Sequence, residues 1–353
     1  MPSISHPPVL PLTAISSLPL RIFLYTDLRL SSTIWLECRP MSNTNNAAAA
    51  ATGYFDLQVN GYDGVDFNTD DLTLENLHKA CAKFVADGAQ HMLATIITER
   101  IPQMVHRLQA LVKFREQDPL IKQVIAGIHI EGPFFNEQAG YRGAHPVDCI
   151  HPTNLDELKQ LLDAAGGLTR IVTLAPERDP NMQAISYLAK QGVVPSMGHC
   201  NPTLDEIDAA IDAGAKMWTH LGNGCPRQLD RHENVIQMAL SRADKLWLCF
   251  IADGVHVPFV ALGNYLKLAG DRAIIVSDAM PAAGMGPGTY KFGRWEISVG
   301  EDLSVWAPDR SHLVGSALAM KPAAERLRSA LPHMAGNIDQ WMITHPRKLL
   351  GLA

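Results

Sequence analysis

The sequence predicts an α/β protein built as a (β/α)8 TIM-like barrel, on three observations. Short β-rich runs alternate with amphipathic segments from residue 54 onward, there are eight such runs, and polar residues able to do chemistry directly follow several of them. The strand candidates are YFDLQV (54–59), HMLATI (91–96), QVIAGIHI (123–130), RIVTLA (170–175), VVPSMG (193–198), KMWTH (216–220), LWLCFIA (246–252) and AIIVSDA (273–279). Helical segments are expected at 73–88, 101–116, 154–165, 203–213 and 258–269. Their N-caps would be Asp70 or Asp71, Asn154 ahead of Glu157, and Thr203 ahead of Glu206. Two further helical stretches, 317–331 and 337–350, follow the last strand and would pack outside the barrel. A doubly wound open sheet shows the same alternation and stands as the alternative topology.

The segment before the barrel reads differently. Residues 1–40 scatter Pro and Ser through short apolar runs, and MSNTNNAAAAATG (41–53) is a polar, Ala-rich stretch of linker character. Met1–Leu20 is uncharged but holds too many polar and Pro residues for a membrane span, and no Lys or Arg precedes its apolar part as in a signal peptide. Residues 1–52 are therefore expected to be a disordered or over-extended leader, with Met41 an alternative start, and 53–353 to be the barrel.

The bulk numbers narrow the partners. A chain of 353 residues that is 47% hydrophobic can fill one large core. Its net charge of −6 offers no basic face for nucleic acid. The six cysteines (Cys38, Cys81, Cys149, Cys200, Cys225 and Cys249) form no CxxC pair and read as reduced, mostly buried thiols of a cytoplasmic protein. A small-molecule substrate is expected, with neither nucleic acid nor membrane as partner.

The polar residues after the strands carry the chemistry. Glu131 (HIEGPFF) follows the third strand, His199 (SMGHC) the fifth, His220 (WTHLGNG) the sixth and Asp278 (VSDAM) the eighth. The C-terminal ends of barrel strands converge on one mouth, so these four would meet there. Two imidazoles and a carboxylate make a tridentate set that leaves a position for water, as catalytic Zn²⁺ requires; Fe²⁺, Co²⁺ or Mn²⁺ would also fit. Asp278 would accept the proton of that water. One such histidine among fourteen would more often be an ordinary hydrogen-bonding residue. Four chemical residues at four strand ends favour the metal reading.

The wording around those residues is specific. The strings FDLQVNGYDGVDFN (55–68), GIHIEGPFFNEQAGYRGAHP (127–146), GHCNPTLDEIDAAIDAGAKMWTHLGNG (198–224), IADGVHV (251–257), IIVSDAMPAAGMGPGTYKFG (274–293), GSALAM (315–320) and THPRKLLGL (344–352) occur in order over nearly the whole barrel. On them the chain resembles the N-acetylglucosamine-6-phosphate deacetylase family of the metal-dependent amidohydrolase superfamily. The resemblance implies hydrolysis of the acetamide of N-acetylglucosamine 6-phosphate to glucosamine 6-phosphate and acetate. It makes Glu131, His199 and His220 metal ligands and Asp278 the catalytic acid/base. His145 and His256 would contact the sugar and the reacting carbonyl, with His256 also catalytic. Asn223 and Gly224 would hold the substrate phosphate, with Arg231 as its arginine, and the family's tendency is to form a homodimer. Where many amidohydrolases carry His-x-His and two metals, this chain has Gln58-Val59-Asn60, so a single ion is expected.

Three departures bear on the substrate. The family's HLFNAM and Arg-Glu-Pro-Gly strings read here as HLGNGCP and Arg231-His232-Glu233-Asn234. Gly222 and Gly224 then replace larger residues and Cys225 replaces Met, which is expected to widen the pocket. The family's flanking β-sandwich is expected to be missing, and Tyr62 stands where a glycine is usual. A different N-acyl amino sugar or other amide is the alternative substrate. A catalytically inactive sugar-phosphate binding protein is the alternative function.

Overall fold

The computed structural model describes residues 53–292, 295–307 and 313–352. The leader expected at 1–52 lies outside these residues. The chain enters the barrel as β1 (Tyr54–Val59), makes a small antiparallel pair, β2 (Gly61–Tyr62) with β3 (Val65–Asp66), and continues through β4 (Ala89–Ile97) and β5 (Ile125–Glu131). The remaining barrel strands are β6 (Thr169–Leu174), β7 (Val194–Met197), β8 (Met217–Trp218), β9 (Trp247–Ile251) and β10 (Ala273–Val276). They form one eight-stranded sheet in the order β1-β4-β5-β6-β7-β8-β9-β10, and every neighbouring pair is parallel.

The sheet returns on itself. Val59 bridges Ala279, and the Asn60 N–H donates to the Ala279 carbonyl at 2.7 Å. That contact decides for the barrel over the open sheet, because a doubly wound sheet keeps two free edges. Inside, Phe55, Leu57, Ile171, Met217, Trp247 and Ile274 are among the buried side chains that fill the barrel floor, so the mouth has a solid base.

The helices on the outside show where local signals decide and where they mislead. Asn154 caps the helix that starts at Leu155, and Thr203 with Glu206 forms a reciprocal capping box. The cap expected at Asp70 or Asp71 is instead Thr73, whose hydroxyl accepts from Asn76 N–H, while Asp70 pairs with Arg107 at 2.8 Å. The helices are α1 (Leu74–Ala86), α2 (Ile101–Gln117), α3 (Pro119–Val124), α4 (Leu155–Ala164), α5 (Gln183–Lys190), α6 (Leu204–Ala213), α7 (Val235–Leu240), α8 (Phe259–Ala269), α9 (Met320–Ala330) and α10 (His345–Leu349). Among the helices absent from the expected stretches are α3 and α5. Asp118 starts α3 by accepting from the Leu120 and Ile121 N–H groups, and Asp179 accepts from Ala184 and Ile185 at the start of α5. Both caps sit beside a proline, which reads as a turn in isolation.

A second sheet follows β10: β11 (Gly288–Phe292), β12 (Trp295–Val299), β13 (Ser304–Trp306) and β14 (Leu313–Ser316), antiparallel throughout. Its Ile297, Val299 and Val305 pack with Ala282 and Ala317 in a small core of their own. The sheet is joined to the barrel mouth. The Ser316 N–H donates to the Asp278 carbonyl, and Met280 N–H donates to Ser316 O, each at 3.0 Å.

The seam between β1 and β10 also holds a buried carboxyl. Asp56 Oδ1 accepts from the N–H groups of Ser277 (3.1 Å) and Gln58 (3.2 Å). Burial pushes Asp56 up from 3.8 to about 7, against the pull of the Ser277 and Gln58 hydrogen bonds. A carboxyl whose folded pKa exceeds its unfolded value stabilises the fold below the unfolded value, and that contribution is lost as pH rises through the folded one. The stability of the native chain relative to Asp56→Asn is therefore expected to fall as pH rises from about 4 to 7. Denaturant unfolding of both proteins across that range measures it, and parallel curves would refute the account.

Candidate active site

Three of the four strand-end residues sit in left-handed backbone: His199 at φ 51°, His220 at φ 32° and Asp278 at φ 49°. Such conformations cost non-glycine residues about 1–3 kcal/mol each and persist where surrounding contacts over-determine them. Here those contacts are visible. His220 is flanked by the Thr219 N–H bond to Met197 O and the Leu221 N–H bond to Cys249 O, and Asp278 by Ser316 and by the Ala279 seam. The fold turns the chain sharply at each strand end and aims the side chain inward.

The aimed groups meet. Glu131 Oε1 lies 3.0 Å from His220 Nε2 and 3.4 Å from His199 Nε2, and the two imidazole nitrogens are 3.1 Å apart. All three residues are buried, and their ligand-capable atoms lie within 4.8 Å of one another. The His199 Nδ1–H donates to the Tyr141 carbonyl at 2.8 Å, which leaves its Nε2 lone pair for the centre. The Gln58 amide donates to Glu131 Oε2 at 3.0 Å, so Oε1 is the oxygen turned to the imidazoles.

This arrangement tests its fitness for a metal. Two imidazole nitrogens cannot face each other and one carboxylate oxygen as lone pairs alone; a proton or a cation must sit among them. The titration reflects that demand. Burial alone would raise Glu131, yet its hydrogen bonds to His199 and His220 hold it well below the usual carboxylate range. His220 is raised despite burial by its hydrogen bond to Glu131. An N/N/O set that attracts positive charge this way suits a divalent ion.

The other expected residues divide into two groups. His145 joins the centre: its Nε2 lies 3.3 Å from His199 Nε2, its ring stands edge-on to Phe135, and burial with the neighbouring His199 lowers it to about 3. Asp278 Oδ1 accepts from the Asn60 amide at 2.8 Å, and its carboxyl is raised by burial and by the Glu131 charge. His256, at the mouth after β9, pairs through Nδ1 with Asp253 Oδ2 at 2.6 Å. Asn223 folds back on the chain, its amide donating to the His220 carbonyl. Arg231 is exposed and makes no ion pair or hydrogen bond to these groups among the described residues. The nearby Arg227 lies 5.6 Å over the Trp306 ring.

The expected widening at the glycines is corrected by the backbone. Gly222 has φ +99° and Gly224 φ +60°, and a Cβ at 224 would stand 3.0–3.3 Å from the His199 ring. Gly224 lets the loop close onto His199, whose ring occupies the space a side chain there would take, and a Cβ at Gly222 would stand 3.1 Å from Val257. The Tyr62 ring is buried against Phe84, and its hydroxyl donates to Asp87 at 2.8 Å.

Several contributors gave little sequence signal. His129, two residues before Glu131, is fully buried, bonds Thr173 Oγ1 at 2.7 Å, and is lowered to about 4 by burial. From Thr173 a chain of 2.7 Å hydroxyl contacts runs through Thr219 to Ser196 across β6, β7 and the end of β8. Alternation along β5 places His129 and Glu131 on one face, and that was the available clue. The Tyr141 carbonyl is backbone and has no signature. Asp253 was readable only as the first residue of Asp-Gly-Val-His.

A parallel barrel with a buried Glu/His/His set and a carboxyl of raised affinity for protons at its mouth defines a metal-dependent hydrolase. No family model matches the chain. It is 32% identical over 282 residues to the N-acetylglucosamine-6-phosphate deacetylase of Bacillus subtilis (strain 168), covering 78% of this chain and 69% of that one. It is 29% identical over 318 residues to the N-acetylgalactosamine-6-phosphate deacetylase of Escherichia coli O157:H7, covering 90% and 82%. Among solved structures, a mutant N-acetyl-D-glucosamine-6-phosphate deacetylase from Mycobacterium smegmatis, in complex with N-acetyl-D-glucosamine-6-phosphate, superposes with a TM-score of 0.77 at 29% identity, covering 85% of this chain and 77% of that one. The chain belongs to the N-acetylglucosamine-6-phosphate deacetylase family.

The Gly224 contact is directly testable. Gly224→Ala forces a side chain into left-handed backbone against the His199 ring and is expected to destabilise the fold by about 1–3 kcal/mol. Equilibrium denaturation measures it. Unchanged stability would show that the loop has room to relax.

Proposed function

We propose that this chain hydrolyses the acetamide of N-acetylglucosamine 6-phosphate, giving glucosamine 6-phosphate and acetate. The observation that carries the proposal is the convergence of Glu131, His199 and His220 on one point beside the raised carboxyl of Asp278. Family membership supplies the substrate class. Glu131, His199 and His220 would hold one divalent ion, most simply Zn²⁺. The ion, when bound, supplies Lewis acidity to the attacking water and the acyl carbonyl. Gln58 keeps Glu131 turned to it, and Tyr141 fixes the His199 tautomer.

Asp278 takes a proton from the water as its oxygen bonds to the acetyl carbon, with Asn60 holding the carboxyl in place. His256 faces the carbonyl oxygen as charge builds there. Asp278 then returns the proton to the sugar nitrogen as the C–N bond breaks, so one water is consumed and an amine and acetate are released. His145 lines the sugar side. Asn223 and the Gly224 backbone would meet the phosphate, with Arg231 as its charged anchor, in a homodimer supplied by the partner copy. The E. coli relative favours one second reading, N-acetylgalactosamine 6-phosphate as substrate.

The division of labour predicts distinct failures. Asp278→Asn should keep about one ion per chain and lose about 10²- to 10⁴-fold in kcat. His199→Ala should lose the ion itself. Metal analysis beside acetate release decides, and an Asp278→Asn protein without metal would overturn the roles.

The phosphate assignment predicts a selective effect. Arg231→Ala should raise KM about 10- to 150-fold for the phosphorylated sugar and leave the unphosphorylated analogue unchanged. Steady-state kinetics on N-acetylglucosamine 6-phosphate, its galactosamine epimer and the free sugars reads this. Equal kcat/KM with and without phosphate would remove the sugar-phosphate substrate.

A further inference from the structure

We propose that Asp253 is a positioning residue of this site: it fixes the imidazole of His256 with its Nδ1–H turned inward onto the carboxylate, so that Nε2–H is the donor presented to the substrate. The inference rests on the reading of His256 as the group that faces the acyl carbonyl.

The geometry separates two jobs of one carboxylate. Asp253 Oδ1 accepts from the N–H groups of Val255 (2.9 Å) and His256 (2.8 Å), shaping the Asp-Gly-Val-His turn. The turn needs Gly254, at φ +79°, because a Cβ there would stand 2.4 Å from the Phe259 ring. Turn formation engages only Oδ1. Oδ2 does something else, meeting His256 Nδ1 at 2.6 Å. Both side chains are nearly excluded from solvent, with relative exposures of 0% for Asp253 and 5% for His256. A carboxylate is acceptor-only when ionised, so the proton of this contact belongs to Nδ1.

Asp253 is held ionised. Burial would raise it, but the His256 hydrogen bond and charge, followed by the two N–H groups, pull it below its ordinary value. The backbone beneath it is pinned as well. Arg326 of α9 donates through Nη1 to the carbonyls of Asp253 (3.0 Å) and Asp302 (2.8 Å), tying the turn to the antiparallel sheet. The pair therefore has a fixed base, an anionic acceptor and one imidazole orientation.

Asp253→Asn isolates the second job. Asparagine keeps an Oδ1 for the turn but turns an NH₂ donor toward His256 Nδ1, which must then give up its proton and accept, leaving a neutral ring whose single proton is on Nε2. The donor that Nε2 offers the carbonyl oxygen is then neutral, and a charge-assisted hydrogen bond is about twice as strong as a neutral one. In the zinc-loaded full-length protein, Asp253→Asn is expected to lower kcat about 10- to 100-fold, with KM within roughly threefold, and with metal content and melting temperature unchanged. The ¹⁵N spectrum should show the His256 Nδ1 resonance, assigned by its loss in His256→Gln, move from a protonated to an unprotonated position. Asp253→Ala should lose stability too, because the turn loses its acceptor. A kcat for Asp253→Asn within threefold of the native value, or an unchanged Nδ1 resonance, would overturn the proposal. If His256→Gln itself keeps full activity, the carbonyl role of His256 fails instead, and the ¹⁵N spectrum still decides whether Asp253 holds the Nδ1 proton.

Discussion

A carboxylate buried inside a barrel has to be paired, and nearly everything at this mouth follows from how Glu131 is paired. One of its oxygens is taken by the Gln58 amide, and the other is left to two imidazoles that also crowd each other. Removing an ion from water is costly, and the cost is offset only by opposite charge and well-aimed donors. Glu131 therefore pulls positive charge toward the only point that satisfies it. The same charge raises Asp278 across the mouth, so one buried anion helps set both the affinity for a cation and the basicity of its neighbour.

Such a cluster holds only if the backbone does. His199, His220 and Asp278 each turn through left-handed conformations just past β7, β8 and β10. The barrel tolerates this because the parallel ladders end there and flanking N–H groups find partners in the next strand. Glycines complete the packing where two backbones approach. Gly132, at φ +89°, lies where a Cβ would stand 2.1 Å from the Thr98 hydroxyl, directly behind Glu131. Strain at the chemical residues and glycine beside them are two sides of one geometric demand.

Much of this was readable beforehand, for identifiable reasons. The eight barrel strands, β1 and β4 to β10, announce themselves as short apolar runs, and the chemical residues stand out because each closes such a run. What stayed hidden has physical causes. The sheet β11–β14 is built from segments of three to five residues, GTYKF, WEISV, SVW and LVGS, too short for an alternation to show. The caps Asp118 and Asp179 were masked by the prolines that follow them. His129 looked like one more strand residue, and the pairing of Asp253 with His256 depends on a turn that sequence spacing alone does not specify. The effect of Gly222 and Gly224 was misjudged because side-chain volume was weighed without the sign of φ.

The antiparallel sheet changes what counts as the smallest working piece of this chain. Its last strand holds the carbonyl of Asp278 through Ser316, and its Asp302 turn shares Arg326 with the Asp253 turn. A decoration could be trimmed or exchanged between relatives without consequence for the mouth. A buttress cannot. The working unit of this chain thus runs past the eighth barrel strand to α9, and exchanging the antiparallel sheet would rewrite the aim of Asp278 and of the turn that carries His256.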